Sequence, residues 1–134
     1  MLKAMGALAM APAALDAEAQ GIGDETVYEL RIYHLNEGKQ DLILDRFRSQ
    51  ETKIFERYGM HGVGYWVATD EPLAGRTLIY LLRHTSRETA KASWASFAKD
   101  PDWIALKAKS EKDGAFVKLH ESTFMKLTDF SPRV

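Results

Sequence analysis

Apolar and polar positions alternate from Val27 to Leu35, VYELRIYHL, and predict a strand in which aromatic and branched residues interleave with Glu29 and Arg31. A period of two sends Glu29, Arg31 and Tyr33 to one face. Beyond the turn Asn36-Glu37-Gly38 the period lengthens. Ile43, Phe47, Ile54 and Tyr58 recur at helical spacing, and Asp45, Arg46, Arg48, Glu51 and Lys53 form the solvated side of the same helix. Gly59 stops it, where a left-handed residue is usual.

Gly62 to Ala68 and Thr77 to His84 read as the two strands of a hairpin around a loop holding Asp70, Pro72 and Gly75. A second helix follows at once, with Thr85 and Glu88 at capping-box spacing and Ala90, Trp94 and Phe97 as its apolar stripe. Asp100-Pro101 reads as an N-cap and first-turn proline, opening a third, shorter helix to the region of Lys112. Gly114 closes it, and Phe116 to Leu127 forms the last strand.

The order β-α-β-β-α-(α)-β predicts an α+β, ferredoxin-like domain over residues 26–128: one antiparallel sheet with helices on a single face, and a tail at 129–134. The uncovered face should be polar, yet Leu78-Ile79-Tyr80-Leu81-Leu82 is apolar at both parities, as in a strand covered on both sides. The simplest cover is a second copy, two sheets closing face to face into a dimeric α+β barrel, with a partner protein as the alternative.

Composition narrows the function classes. The 134 residues suffice for one core, and 18 basic against 19 acidic side chains give no electrostatic case for nucleic acid. With no cysteine, disulfides, thiolate metal sites and a cysteine nucleophile are excluded. No apolar run approaches the roughly 20 residues that span a bilayer.

Residues 1–25 differ from the rest. One lysine, an Ala- and Met-rich apolar run and the small-residue pattern Ala17-Glu18-Ala19 have the shape of an export signal. Leu2-Lys3-Ala4-Met5-Gly6-Ala7 resembles the end of a twin-arginine signal without its arginines, which points to a start site further upstream. A functional leader implies a periplasmic or secreted protein. The alternative is a disordered leader on a cytoplasmic one.

Candidate chemistry begins with the histidines. His34 and His84 fall at opposite ends of adjacent strands, on the order of 20 Å apart and too far to share a metal. If the hairpin closes symmetrically between Thr69 and Arg76, the register pairs Tyr65 with Tyr80, Val67 with Leu78, Val63 with Leu82 and His61 with His84. Opposed imidazoles have β-carbons about 5 Å apart, and Glu29 is the natural third group for a metal or acid/base site. The plainer alternative puts His61 in a loop and His84 at a helix cap.

Arg31 beside Tyr33 suits a carboxylate or phosphate clamp, or an ion pair with Glu29. Trp66, Trp94 and Trp103 line a pocket between sheet and helices or pack as core. No Gly-rich phosphate loop, Gly-x-Ser-x-Gly elbow or His-Glu-x-x-His helix is present.

Tyr28-Glu29-Leu30-Arg31 with Tyr33, then Gly38, Gly64-Tyr65-Trp66, the apolar strand with Tyr80, and Asp100-Pro101-x-Trp103 occur in the order of the NIPSNAP pattern, which the chain resembles from Val27 to Glu121. The resemblance implies a dimeric α+β barrel and brings no catalytic motif, and it leaves any cofactor open. The chain departs from the animal members in its single domain and export-like leader, which weighs against their vesicle-linked roles.

Two functional classes follow. One is a homodimeric module binding a small apolar or anionic ligand, or serving a structural role. The other is a dimeric α+β barrel enzyme of cofactor-free oxygenase, isomerase or haem-degrading type. Glu29, Arg31, Tyr33, His61, Tyr65, Tyr80 and His84 are the candidate pocket residues for either, with no metal assigned.

Overall fold

The computed structural model describes residues 22–134, so the leader expected at the N-terminus lies largely outside the described residues. Strand β1 (Val27–Leu35) leads through Gly38, whose φ of 77° closes the turn, into helix α1. That helix has three consecutive parts, Gln40–Arg46, a π-helical turn Phe47–Glu51, and Thr52–Arg57. It ends at Gly59, φ 75°, as the sequence predicts.

Strands β2 (His61–Val67) and β3 (Thr77–His84) form the hairpin. Helices α2 (Arg87–Lys99) and α3 (Pro101–Ser110) follow, then β4 (Val117–Met125). The N-cap of α2 is Ser86, whose hydroxyl accepts from the Thr89 amide, one residue beyond the expected Thr85. Asp100 caps α3 ahead of Pro101 as predicted. Its buried carboxylate also accepts from Tyr58 Oη at 2.5 Å and Arg57 Nη1 at 2.6 Å, tying the end of α1 to the α2–α3 junction.

The sheet order β2-β3-β1-β4 is antiparallel throughout, which is the ferredoxin-like arrangement. The β1–β3 register pairs Val27 with His84 and His34 with Thr77, putting the two histidines at opposite ends. The helix-facing side carries Tyr33, Leu35, Leu78, Tyr80 and Leu82, which pack with Ile43, Phe47, Ile54, Phe55, Phe97 and Phe116. Phe47, Phe55 and Tyr80 meet at ring centroid separations of 5.3–6.0 Å, so aromatic edges and faces fill much of this core.

The other face is apolar across the middle of β1 and β3 and mixed toward β4, where Glu121 lies opposite Ile32 and pairs with His34 at 2.7 Å. Leu30, Ile32, Ile79 and Leu81 alternate out of β1 and β3 only half-buried, and Trp66 and Leu119 beside them are 53% and 60% exposed. No helix among the described residues is long and apolar enough to cross a membrane.

Candidate functional site

The hairpin does not close as symmetric pairing predicts. Tyr65 faces Tyr80 and Val67 faces Leu78, but the register shifts between Gly62 and Gly64, so Gly62 faces Leu82 and His61 faces Arg83. The bulge absorbs Val63, and a one-residue slip in a period-two structure separates side chains that would otherwise meet. His61 is therefore not opposite His84. It is half-exposed, with Nδ1 3.1 Å from Glu56, and the expected constellation of His61, His84 and Glu29 does not assemble. Among the described residues, no three His, Asp or Glu side chains are grouped to hold a metal ion.

The remaining candidates do converge. Because β1 runs between β3 and β4, alternation brings Glu29, Arg31 and Tyr33 to the helix-facing side, beside Leu82, Tyr80 and Leu78 on one flank and Phe124, Ser122 and His120 on the other. Glu29 is 1% exposed, and four groups donate to its carboxylate. Oε1 accepts from His84 Nε2 at 2.9 Å and Trp94 Nε1 at 2.8 Å, and Oε2 from Arg31 Nη1 at 2.7 Å and Ser122 Oγ at 2.6 Å.

Burial pushes the Glu29 pKa up, but the donors from His84, Ser122, Trp94 and Arg31 outweigh it and hold the group at about 2. An ionised carboxylate only accepts, so His84 carries its proton on Nε2. The His84 Nδ1 is buried without a hydrogen-bond partner.

Arg31 is fixed in turn. Its Nε donates to Tyr80 Oη at 3.0 Å, Nη2 lies 3.4 Å from Tyr33 Oη, and the guanidinium carbon stands 4.2 Å from the Trp94 ring centroid. Tyr80 Oη donates to Tyr33 Oη at 2.7 Å. Tyr33 thus receives hydrogen bonds from two groups and keeps its own proton to give. Burial raises both tyrosine pKa values and keeps them neutral donors. Tyr65 stacks on Tyr80 with centroids 5.6 Å apart at the β2 edge, and burial, followed by the charges of Glu56 and Glu51, pushes its pKa to about 12.

Arg31 and Tyr33 open onto a cavity of about 470 Å3 between the sheet and helices α2 and α3. Trp94, Phe97 and Trp103 supply apolar walls, and Arg46, Glu51, Lys107, Glu111 and His120 supply polar ones. Trp66 is not among them, since it stands on the opposite face of the sheet.

The sequence places Arg46 and Glu51 on the solvated side of α1, and the structure reverses this. They are 6% and 2% exposed, paired at 2.7 Å between Arg46 Nε and Glu51 Oε1. Glu51 closes the π-helical turn Phe47–Glu51, and it lies four residues after Phe47 and three before Ile54, on the same buried stripe. Arg46 Nη1 also donates to Glu111 Oε2 at 2.7 Å and Ser110 Oγ at 3.0 Å, and its guanidinium packs against the rings of Trp103 and Phe116. Burial raises the Glu51 pKa, the Arg46 charge and hydrogen bond lower it, Glu111 raises it again, and the balance lies at about 7.

The domain is thus an α+β sheet-and-helix unit with a charged, aromatic-walled cavity beneath its helices. The NIPSNAP family model matches residues 28–132, and the chain belongs to the NIPSNAP family. Its fold is similar to that of a NIPSNAP-like domain protein from Burkholderia xenovorans, with 18% identity, 82% of this chain and 91% of that one covered, and a TM-score of 0.71. A NIPSNAP family protein from Agrobacterium tumefaciens is 24% identical over 80% of this chain and 97% of its own, with a TM-score of 0.69. SnoaB, a cofactor-independent oxygenase from Streptomyces nogalater, shares the fold more distantly, at 11% identity, 81% and 98% coverage and a TM-score of 0.55. The chain has no significant match among curated proteins.

Proposed function

We propose that this NIPSNAP domain is a homodimeric binding module whose ligand, a small aromatic or apolar monoanion, occupies the cavity between the sheet and helices α2 and α3. One observation carries the reading: Arg31 is held at the cavity wall by Glu29, Tyr80 and Trp94, beside a tyrosine hydroxyl with a proton to give and between aromatic walls. A guanidinium fixed in advance loses little freedom when it meets a carboxylate, and flat apolar walls suit a ring behind that carboxylate. The volume matches small-molecule sites, which run from about 300 to 1,000 Å3.

The dimer rests on the open sheet face. Leu30, Ile32, Ile79, Leu81 and Trp66 make an apolar patch, bounded on β4 by Glu121, of the kind that folded chains cover by association. A second copy presents the same surface and closes it symmetrically. The ligand cavity lies on the other side of the sheet, so each protomer carries a complete site.

The three tryptophans provide the test, because Trp94 and Trp103 line the cavity and Trp66 does not. In a titration with benzoate followed by the indole N–H resonances in nitrogen-15 spectra, the Trp94 and Trp103 signals shift and saturate while Trp66 stays in place. A saturating shift at Trp66 alone, or none at any indole, contradicts the reading.

A further inference from the structure

Glu51 stands in the wall of the cavity at the turn where α1 widens from α to π geometry. Its Oε1 accepts from Arg46 Nε at 2.7 Å, and no described residue donates to its Oε2. One guanidinium, that of Arg46, serves two carboxylates, Glu51 and Glu111, so neither has a cation to itself.

The charged and titratable groups that act on Glu51 come from every element around it. They are Arg46 on its own helix, Glu111 beyond α3, Arg31 and Tyr33 on β1, Tyr65 on β2 and Tyr80 on β3. His120 of β4 and Lys107 of α3 line the same cavity.

Burial outweighs the attraction of Arg46, so Glu51 is divided between acid and carboxylate near neutrality, whereas Glu29 on the neighbouring strand stays ionised. Two carboxyls whose surroundings drive them apart in this way give a site one fixed charge and one movable proton.

We propose that Glu51 is a catalytic base in this cavity, acting on an aryl-substituted 2-oxo acid whose acidic C–H lies next to the carbonyl. The proposal rests on the ligand-binding reading above and gives that site a reaction. The substrate carboxylate meets Arg31, its ring lies against Trp94 and Trp103, and the carbon between ring and carbonyl faces Glu51.

Glu51 Oε2 takes the proton and becomes a neutral carboxylic acid. The C–H electron pair forms the C=C bond of an enolate, and the carbonyl π pair moves onto oxygen. The Tyr33 O–H and the Arg31 guanidinium supply hydrogen bonds and charge where that oxygen develops its negative charge. Return of a proton to carbon restores the oxo acid, and return to oxygen gives the enol. The step is a proton transfer in each direction and consumes no oxidant or second reactant.

Phenylpyruvate in deuterated buffer is the probe, with loss of its benzylic proton signal followed by proton NMR. The full chain is expected to accelerate exchange by at least about 100-fold over buffer, within the range of positioned general bases, and the rate should rise with pH through an inflection near 7. Glu51→Gln brings exchange to within a few-fold of the buffer rate while benzoate still shifts the Trp94 and Trp103 indoles. Glu51→Asp, which keeps a carboxyl but withdraws it by one methylene, slows exchange and moves the inflection.

Wild-type protein that binds benzoate yet leaves exchange at the buffer rate overturns the catalytic role and leaves the binding site standing. Unchanged acceleration in Glu51→Gln, or an unchanged pH profile in Glu51→Asp, overturns it equally. Failure of both benzoate binding and exchange overturns the catalytic role together with the binding reading.

Discussion

Arg46 and Glu51 form a buried ion pair, 2.7 Å from Nε to Oε1, that spans the π-helical turn Phe47–Glu51. The pair is costly, because Arg46 also serves Glu111 and desolvation leaves Glu51 with a pKa of about 7, above its ordinary 4.5. A carboxyl with a raised folded-state pKa contributes stability that is fully present below pH 4.5. That stability declines as pH rises to about 7 and is level beyond it.

Glu51→Gln imitates the neutral form. At pH 8 it should match or exceed the wild type in stability, by up to about 3 kcal/mol. The difference should vanish below pH 5, and urea unfolding at pH 5 and pH 8 measures it. A loss of stability at pH 8 contradicts the account of the pair.

Glu29 has the opposite sign. Its pKa is held at about 2 against an ordinary 4.5, so its contribution is fully present above pH 4.5 and disappears as pH falls through 2. The size is on the order of 3 kcal/mol. Glu29→Ala leaves Arg31, His84, the Trp94 N–H and Ser122 without their common acceptor. It should cost about 3–5 kcal/mol at pH 7, the range for removing one partner of a buried charge network. Unfolding of this variant should lose the wild type's acid-dependent step between pH 4.5 and 2.

The open sheet face predicts an assembly phenotype. Leu81 lies near its centre on β3, paired with Leu30 on β1 and next to Gly64 on β2. Leu81→Asp puts a charge into the proposed contact, where an unpaired carboxylate is strongly disfavoured. Light scattering should find a dimer for wild type and a monomer for the variant. Benzoate should still shift the Trp94 indole, because the cavity is on the other side of the sheet.

Gly64 offers a gentler perturbation of the same surface. A β-carbon at this position would come within 2.4 Å of the Trp66 ring, which lies over it. Gly64→Ala should displace Trp66, weaken the dimer and leave the ligand titration unchanged. Sedimentation at several protein concentrations detects the shift.

Much of the architecture is legible in the chain because its signals are local. Strand β3 is a branched apolar run with clear limits at Thr77 and His84, and Asp100-Pro101 announces a helix start through capping chemistry that needs no tertiary context. Period-two alternation places Glu29, Arg31 and Tyr33 on one face, and the fold brings them together with Tyr80 and His84. The convergence of His61 and His84 fails because symmetric closure assumes an unbroken ladder. The glycines either side of Val63 are the sequence signal for the bulge that breaks it.

The inward position of Glu51 does have a local signal: it lies four residues after Phe47 and three before Ile54, on the apolar stripe, and only its charge assigns it to solvent. Arg46 has no such signal, because what surrounds it is Trp103, Phe116 and Glu111 from the far end of the chain.

Two buried carboxyls take different tasks at this site: Glu29, behind Arg31 and outside the cavity lining, is a fixed anion that orients the guanidinium, and Glu51, in the cavity wall, is an exchangeable proton site. Carbon-13 spectra of the side-chain carboxyls, followed against pH and assigned with Glu29→Gln and Glu51→Gln, read this division at both groups. Glu51 should titrate near pH 7 while Glu29 remains ionised down to about pH 2. Titration of both carboxyls together near pH 4.5 would contradict it.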